Sequence, residues 1–242
     1  MKKKSNLAGD NIITDNASWT FGNNVAKNFS KHVSTSVPMY DTGHEIILSI
    51  SDFFIKDDSI CYDIGCSTGT LLGKLSSRHK NKKKISLIGI DPIPQMIKQA
   101  KLENKNNLGN VKFINKDINK INLKKSDLII SYYTTQFISP RYRQNIIDNI
   151  YESLNWGGAF LLFEKIRGAD ARFQDIYSSI YQDFKVLQGY SDEEILTKQR
   201  SLKGVLEPFS NQGNIGLLKR AGFKDITTIF QWVCFQGYLC IK

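Results

Sequence analysis

Of 242 residues only four are cysteine, five proline and three histidine. The cysteines stand at positions 61, 66, 234 and 240, with no C-x-x-C pair and no histidine at ligand spacing. That excludes the usual zinc sites and a disulfide framework, so no metal is expected. Cys61, Cys234 and Cys240 lie in strand-like runs and read as small core residues. No apolar run approaches the ~20 residues that a membrane span needs. The basic start MKKKSNLAGDN is not followed by an apolar h-region, which argues against a secretory signal and makes the cytoplasm the expected compartment. Repeats and low-complexity linkers are absent too.

What is present is a hydrophobic content of 41%, enough for a real core, and a formal net charge of +10. The dense basic runs are Lys2–Lys4 and HKNKKK at 79–84. The chain is rich in Lys, Asn and Ile throughout, and the second run falls where a helix-to-strand loop belongs. Solvated loops therefore explain the charge, and direct nucleic-acid binding is not expected. From residue 60 onward strand-like runs (60–64, 85–91, 111–117, 126–133, 157–165) alternate with helical patterns at 70–78, 94–104 and 140–154. Ser139 and Pro140 punctuate the start of the last helix. Such alternation predicts a parallel sheet covered on both faces. Residues 168–222 interrupt it with helical segments, the second opened by a capping box of Ser191 and Glu194. The end, DITTIFQWVCFQGYLCIK, reads as two strands split near Phe235–Gly237, too close for a crossover and so an antiparallel hairpin. The expected fold is a doubly wound α/β sheet of the class I methyltransferase kind. Residues 1–58 are expected to form an N-terminal helical cap, and 59–242 the main domain with the helical insertion.

The most informative stretch is CYDIGCSTGTLLGKL at 61–75, a strand, a glycine turn and a helix. Such a turn lets backbone approach a ligand at a helix N-terminus. Its pattern is not G-x-G-x-x-G. Cys66 and Ser67 stand where a dinucleotide needs room for its pyrophosphate, which favours S-adenosylmethionine (SAM). Asp63 can attract the ammonium of its amino-acid end, with backbone contacts from the loop Gly65 to Gly69. Asp91, 22 residues after Gly69, suits the ribose hydroxyls, for which about 20 is usual. Asp117 ends the third strand run and suits the adenine amino group, with Met96 and Ile118 as apolar walls. After the fourth strand the chain reads Ser131-Tyr132-Tyr133-Thr134-Thr135-Gln136-Phe137. It lacks the Asn/Asp-Pro-Pro-aromatic motif of enzymes that methylate amino groups of nucleic-acid bases.

Across nearly its whole length the chain resembles the carboxy-SAM synthase family, bacterial enzymes of wobble-uridine tRNA modification. The stretches that carry this are WTF with VA (19–26), SVPMY (36–40), YDIGCS (62–67), ID (90–91), QF (136–137), IYESLNWGGAFLLFEK (150–165), DFK (183–185), GYS (189–191) and AGF (221–223). The resemblance implies the class I fold, a homodimer, and conversion of SAM and prephenate to carboxy-SAM and phenylpyruvate. It places cofactor contacts on Tyr40, Gly65, Cys66, Ser67, Asp91, Pro92, Asp117 and Ile118. Two positions depart. The family's asparagine after the fourth strand falls on Tyr132. The arginine that pairs with the added carboxylate falls on Gln199, in the register set by Ser191, Glu194, Ile195, Lys198, Leu202 and Val205, with Arg200 beside it.

A buried carboxylate wants a guanidinium partner, and a neutral amide leaves its charge uncompensated. With Gln199 at that position, plain SAM is the expected ligand. The expected activity is then SAM-dependent methyl transfer to a small-molecule acceptor; the alternative is carboxy-SAM synthesis. Glu164, at the end of the fifth strand, is the candidate acid or base, and Tyr132 and Tyr133 are expected to flank the substrate. Gln199 and Arg200 are the candidate substrate contacts. His32 and His44 fall in the segment that should cover the cofactor and read as structural or exposed.

Overall fold

The computed structural model describes residues 7–242 except 11, 23 and 108, so the Lys2–Lys4 run lies outside the described residues. Strands β1 (Ile60–Ile64), β2 (Ser86–Asp91), β3 (Val111–Asn115), β4 (Ser126–Tyr132), β5 (Leu154–Lys165), β6 (Asp225–Trp232) and β7 (Phe235–Ile241) form one sheet. Their order is β3-β2-β1-β4-β5-β7-β6. The first five run parallel, with Ile60 to Ile64 paired to Ser86 to Ile90 on one side and Cys61 to Ile64 paired to Leu128 to Ser131 on the other. β7 runs antiparallel to both β5 and β6. Strand order reverses between β1 and β4, the topological switch point at which open sheets hold ligands.

The central strands carry apolar side chains on both faces, as burial on both sides requires. Leu128, Ile130, Leu161 and Phe163 face one core with Ile47, Leu72 and Leu75. Ile129, Phe160 and Leu162 face the other with Ile147 and Leu218. The period of two that separates these sets also decides which strand-end residues reach the site.

Helices α1 (Asn24–Ser36) and α2 (Tyr40–Phe54) precede the sheet. Helices α3 (Thr70–Arg78), α4 (Pro94–Glu103) and α5 (Pro140–Ser153) follow β1, β2 and β4. The insertion forms α6 (Ala171–Leu187), α7 (Asp192–Ser201) and α8 (Asn211–Ala221). Asp170 caps α6 through the Phe173 N–H, and Ser191 and Glu194 form the expected capping box on α7. Lys80 to Lys84 lie exposed in the loop between α3 and β2.

Several boundaries differ from expectation. Ser139 stands at the N-cap of α5 but makes no side-chain capping bond; its carbonyl accepts from the Tyr142 N–H instead. The helix expected over 140–154 ends at Ser153, and β5 opens at Leu154, which pairs with Ser126. The third strand stops at Asn115, which leaves Asp117 on a 3-10 turn. The hairpin turns at Val233 and Cys234, before the expected Phe235–Gly237; Val233 takes a positive φ of 44° there. Among the described residues no helix is long and apolar enough to cross a membrane.

Candidate functional site

A cavity of about 630 Å³ opens at the carboxyl ends of β1, β2 and β4. That is within the usual range for a small-molecule site. Its lining gathers Tyr40, Asp63, Gly65, Cys66, Ser67, Asp91, Pro92, Met96, Asp117, Ile118, Tyr132 and Tyr133, nearly every residue expected from sequence. Gly69, Glu164, Gln199 and Arg200 are not among its lining.

The loop after β1 is held for close approach. Gly65 has φ +74°, and a Cβ there would collide with Thr134. The Gly65 and Cys66 N–H groups donate to the Ile90 carbonyl, at 2.7 and 3.1 Å. Gly69, also at φ +74°, works from behind the wall: a Cβ would fall 2.6 Å from the Phe113 ring. It is the N-cap of α3 and lets that helix start against β3.

Asp91 accepts the Ser67 N–H at 3.0 Å on one oxygen and the Ile93 N–H at 2.9 Å on the other. Those bonds fix the carboxylate, and a carboxylate with about four acceptor sites keeps capacity for two ribose hydroxyls. Asp117 caps the 3-10 turn by accepting from the Asn119 N–H and side-chain amide, both at 2.9 Å; it is a cap and a cavity residue at once. Asp63, 2% exposed, sits deepest. Burial and then the Asp91 charge push its pKa up to about 7. Two buried carboxylates that pair with no cation among the described residues are the complement of a cationic ligand, and an adenosyl sulfonium with an ammonium end fits that set.

Glu164 is not brought to the cavity. Successive β5 side chains alternate, so Glu164 turns to the face opposite Phe163 and away from the cavity. It is 2% exposed, and its Oε1 has no hydrogen-bond partner among the described residues. Burial raises its pKa to about 8 against Arg143 and the backbone N–H groups of Thr135 and Gln136. Lys165, one residue on, takes the cavity face instead.

Gln199 and Arg200 are not brought to the cavity either. Both side chains are exposed on α7, whereas Lys198 of that helix lines the cavity. One helical step turns a side chain by about 100°, enough to send neighbours to opposite environments. Lys198 Nζ donates to Ser36 Oγ and to His32 Nε2, both at 2.7 Å, and His32 Nδ1 donates to Asp10 at 2.6 Å. Burial, then the Lys185 charge, lowers Lys198 to about 7, against the opposing pull of Asp10. Lys165 rests over the Tyr181 ring at 4.0 Å, and Lys185 approaches the same ring at 4.6 Å. Burial lowers both, Lys185 to about 8 with the Lys165 charge as a further cause. None of the three lysines forms an ion pair with a carboxylate among the described residues. Sequence reading missed this cationic end; its only trace was Lys198 among the residues that set the α7 register. His32 and His44, expected to be structural or exposed, are both buried and line the cavity.

A family model described as a methyltransferase domain matches residues 61–158. A carboxy-SAM synthase of Staphylococcus epidermidis is 39% identical over 225 residues, 93% of this chain and 97% of that one. Another, of Nautilia profundicola, is 38% identical over 92% of this chain and 94% of its own. Among solved structures, an O-methyltransferase family protein from Burkholderia thailandensis superposes with a TM-score of 0.65 at 14% identity, covering 90% of this chain and 59% of that one. Human N-acetylserotonin methyltransferase in complex with SAM gives 0.57 at 17% identity, covering 84% and 52%. These two establish the fold, and the full-length relatives establish the lineage. The chain belongs to the carboxy-SAM synthase family, with the class I methyltransferase fold and a site for SAM or carboxy-SAM.

Proposed function

We propose that the protein is a carboxy-SAM synthase, converting SAM and prephenate to carboxy-SAM, phenylpyruvate and water. The carrying observation is that Lys198 reaches the cavity where Gln199 does not. Gln199, the ground for expecting plain methyl transfer, lies outside the cavity and does not select its ligand. Lys198 and Lys165 give the cavity a cationic end, with Lys185 close behind, opposite the aspartates that suit the sulfonium nucleoside. That polarity fits a co-substrate with two carboxylates and a product that gains one. The bound sulfonium supplies an activated methyl carbon. The chain orients it through Asp63, Asp91 and Asp117, while Tyr133, Tyr181 and Phe235 wall the space beside it.

The cytoplasmic tRNA-modification setting and the homodimer implied by the resemblance belong to this same reading. An uncovered apolar stripe on α6 supports the dimer. The test is incubation with SAM and prephenate, followed by mass spectrometry. The expected products are phenylpyruvate and a sulfonium nucleoside heavier than SAM by one carbon dioxide. Absence of both, with S-adenosylhomocysteine and a methylated acceptor found instead, overturns the reading. It would return the function to methyl transfer, which the methyltransferase-domain match favours. Lys198→Met is expected to lower kcat/KM for prephenate about 100-fold, because a desolvated carboxylate loses its cation, while leaving SAM binding within about twofold.

A further inference from the structure

His44 is 1% exposed, and neither ring nitrogen has a hydrogen-bond partner among the described residues. Buried polar side chains without partners are rare, and at a cavity wall such a group points to a ligand. The ring lies one helical turn after Tyr40, with centroids 4.7 Å from the Tyr40 ring and 4.8 Å from the Tyr132 ring. It lines the same cavity as Asp63 and the first residues of α3, Thr70 and Leu71.

Tyr132 explains why a second polar group is needed here. It stands where the family resemblance places an asparagine cofactor contact. Its hydroxyl donates to the Tyr40 carbonyl at 2.5 Å, so it does not point a donor at a ligand. Its ring is accommodated only because residue 43 is glycine: a Cβ there would collide with the Tyr132 hydroxyl. The tyrosine thus closes against α2 and its ring lies against His44.

We propose that His44 donates a hydrogen bond to the carboxylate of the methionyl end of SAM. The neighbouring charges agree with a two-point grip on a zwitterion. Asp63 suits the ammonium. The N-terminus of α3, a nine-residue helix whose N-cap Gly69 makes no side-chain bond, offers free N–H groups and positive dipole to the carboxylate. Burial and the Lys74 charge lower His44 to about 4, against Asp41. The imidazole is therefore neutral, with one N–H to give.

The proposal needs only a SAM site and holds whether the co-substrate is prephenate or a methyl acceptor. Its test compares equilibrium binding of SAM and decarboxylated SAM to the full chain. The wild type is expected to prefer SAM by about tenfold or more, the usual worth of a hydrogen bond to a charged group. His44→Phe keeps a ring against Tyr40 and Tyr132 but has no N–H. It is expected to bind SAM about tenfold less well and decarboxylated SAM as the wild type does, so that the preference collapses. Equal wild-type affinity for the two ligands overturns the proposal without any variant. So does a His44→Phe protein that keeps the preference, or that loses affinity for both ligands alike, which marks a packing role. Prephenate turnover reports separately on the synthase reading.

Discussion

At the scale of single residues, burial without a partner sets the chemistry more than the identity of the side chain does. Asp63 titrates near 7 because it is sealed in the sheet beside Asp91. An ammonium requires the carboxylate form, so at pH 6 SAM binding must release a proton. Affinity is expected to rise about tenfold from pH 6 to pH 8, with a limit of one decade per pH unit. Calorimetry in buffers of different ionisation enthalpy measures the released proton directly. Asp63→Asn should weaken binding and flatten the profile; a profile unchanged by that substitution sinks the assignment. Glu164, buried on the opposite face, acts on stability instead. Its folded pKa of about 8 lies above the unfolded 4.5, so its contribution is whole below pH 4.5 and is lost as pH rises toward 8. The slope approaches about 1.4 kcal/mol per pH unit within that window. Urea melts of Glu164→Gln between pH 5 and 9 should show a shallower fall than the wild type, with SAM affinity unchanged.

At the scale of elements, the same period-two pattern made the fold legible and hid part of the site. Apolar runs flag β1 to β5, and Asp63 and Asp91 stand at the ends of two of them, where the cavity opens. Sequence could not say which of Glu164 and Lys165 faces the ligand, because that depends on register against β4 and β7 rather than on β5 itself. For α7 the missing fact was its rotation, fixed by contacts from α1 more than 160 residues away: Lys198 on His32 and Ser36. The roof of the cavity is a clasp between α1 and the insertion. Tyr181 donates to the Ser36 carbonyl at 2.8 Å, and the Tyr190 hydroxyl meets Thr35 at 2.8 Å, Ser36 at 3.2 Å and Asp10 at 3.1 Å. Tyr190→Phe deletes one side of that clasp. It is expected to cost about 1–2 kcal/mol and to speed amide exchange in α1 and α7, with β1 and β4 protected as before. Exchange that quickens uniformly across the sheet would place the hydroxyl's contribution elsewhere.

At the scale of the whole molecule, the outward face of α6 is the part that a lone chain does not explain. Phe173, Ile176, Ile180 and Leu187 are 49%, 44%, 39% and 82% exposed, at spacings of three, four and seven that put them on one side of the helix. A solvated helix turns its charges outward and its apolar stripe inward. Here the inner side is already taken by Tyr177, Tyr181 and Phe184, with Tyr181 and Phe184 packed on Phe235 and Trp232. Leu196 of α7, 44% exposed, adds to the apolar surface of the insertion. Two copies meeting about a twofold axis would cover both stripes with a single self-complementary contact. Light scattering after gel filtration should therefore give twice 27.6 kDa. Ile176→Asp with Ile180→Asp should return the mass to one chain, because paired carboxylates cannot be buried against their own symmetry mates. The same double variant should keep its affinity for SAM, since neither residue lines the cavity. A wild type that runs as a monomer at micromolar concentration would leave the stripe without this partner and remove the homodimer from the reading.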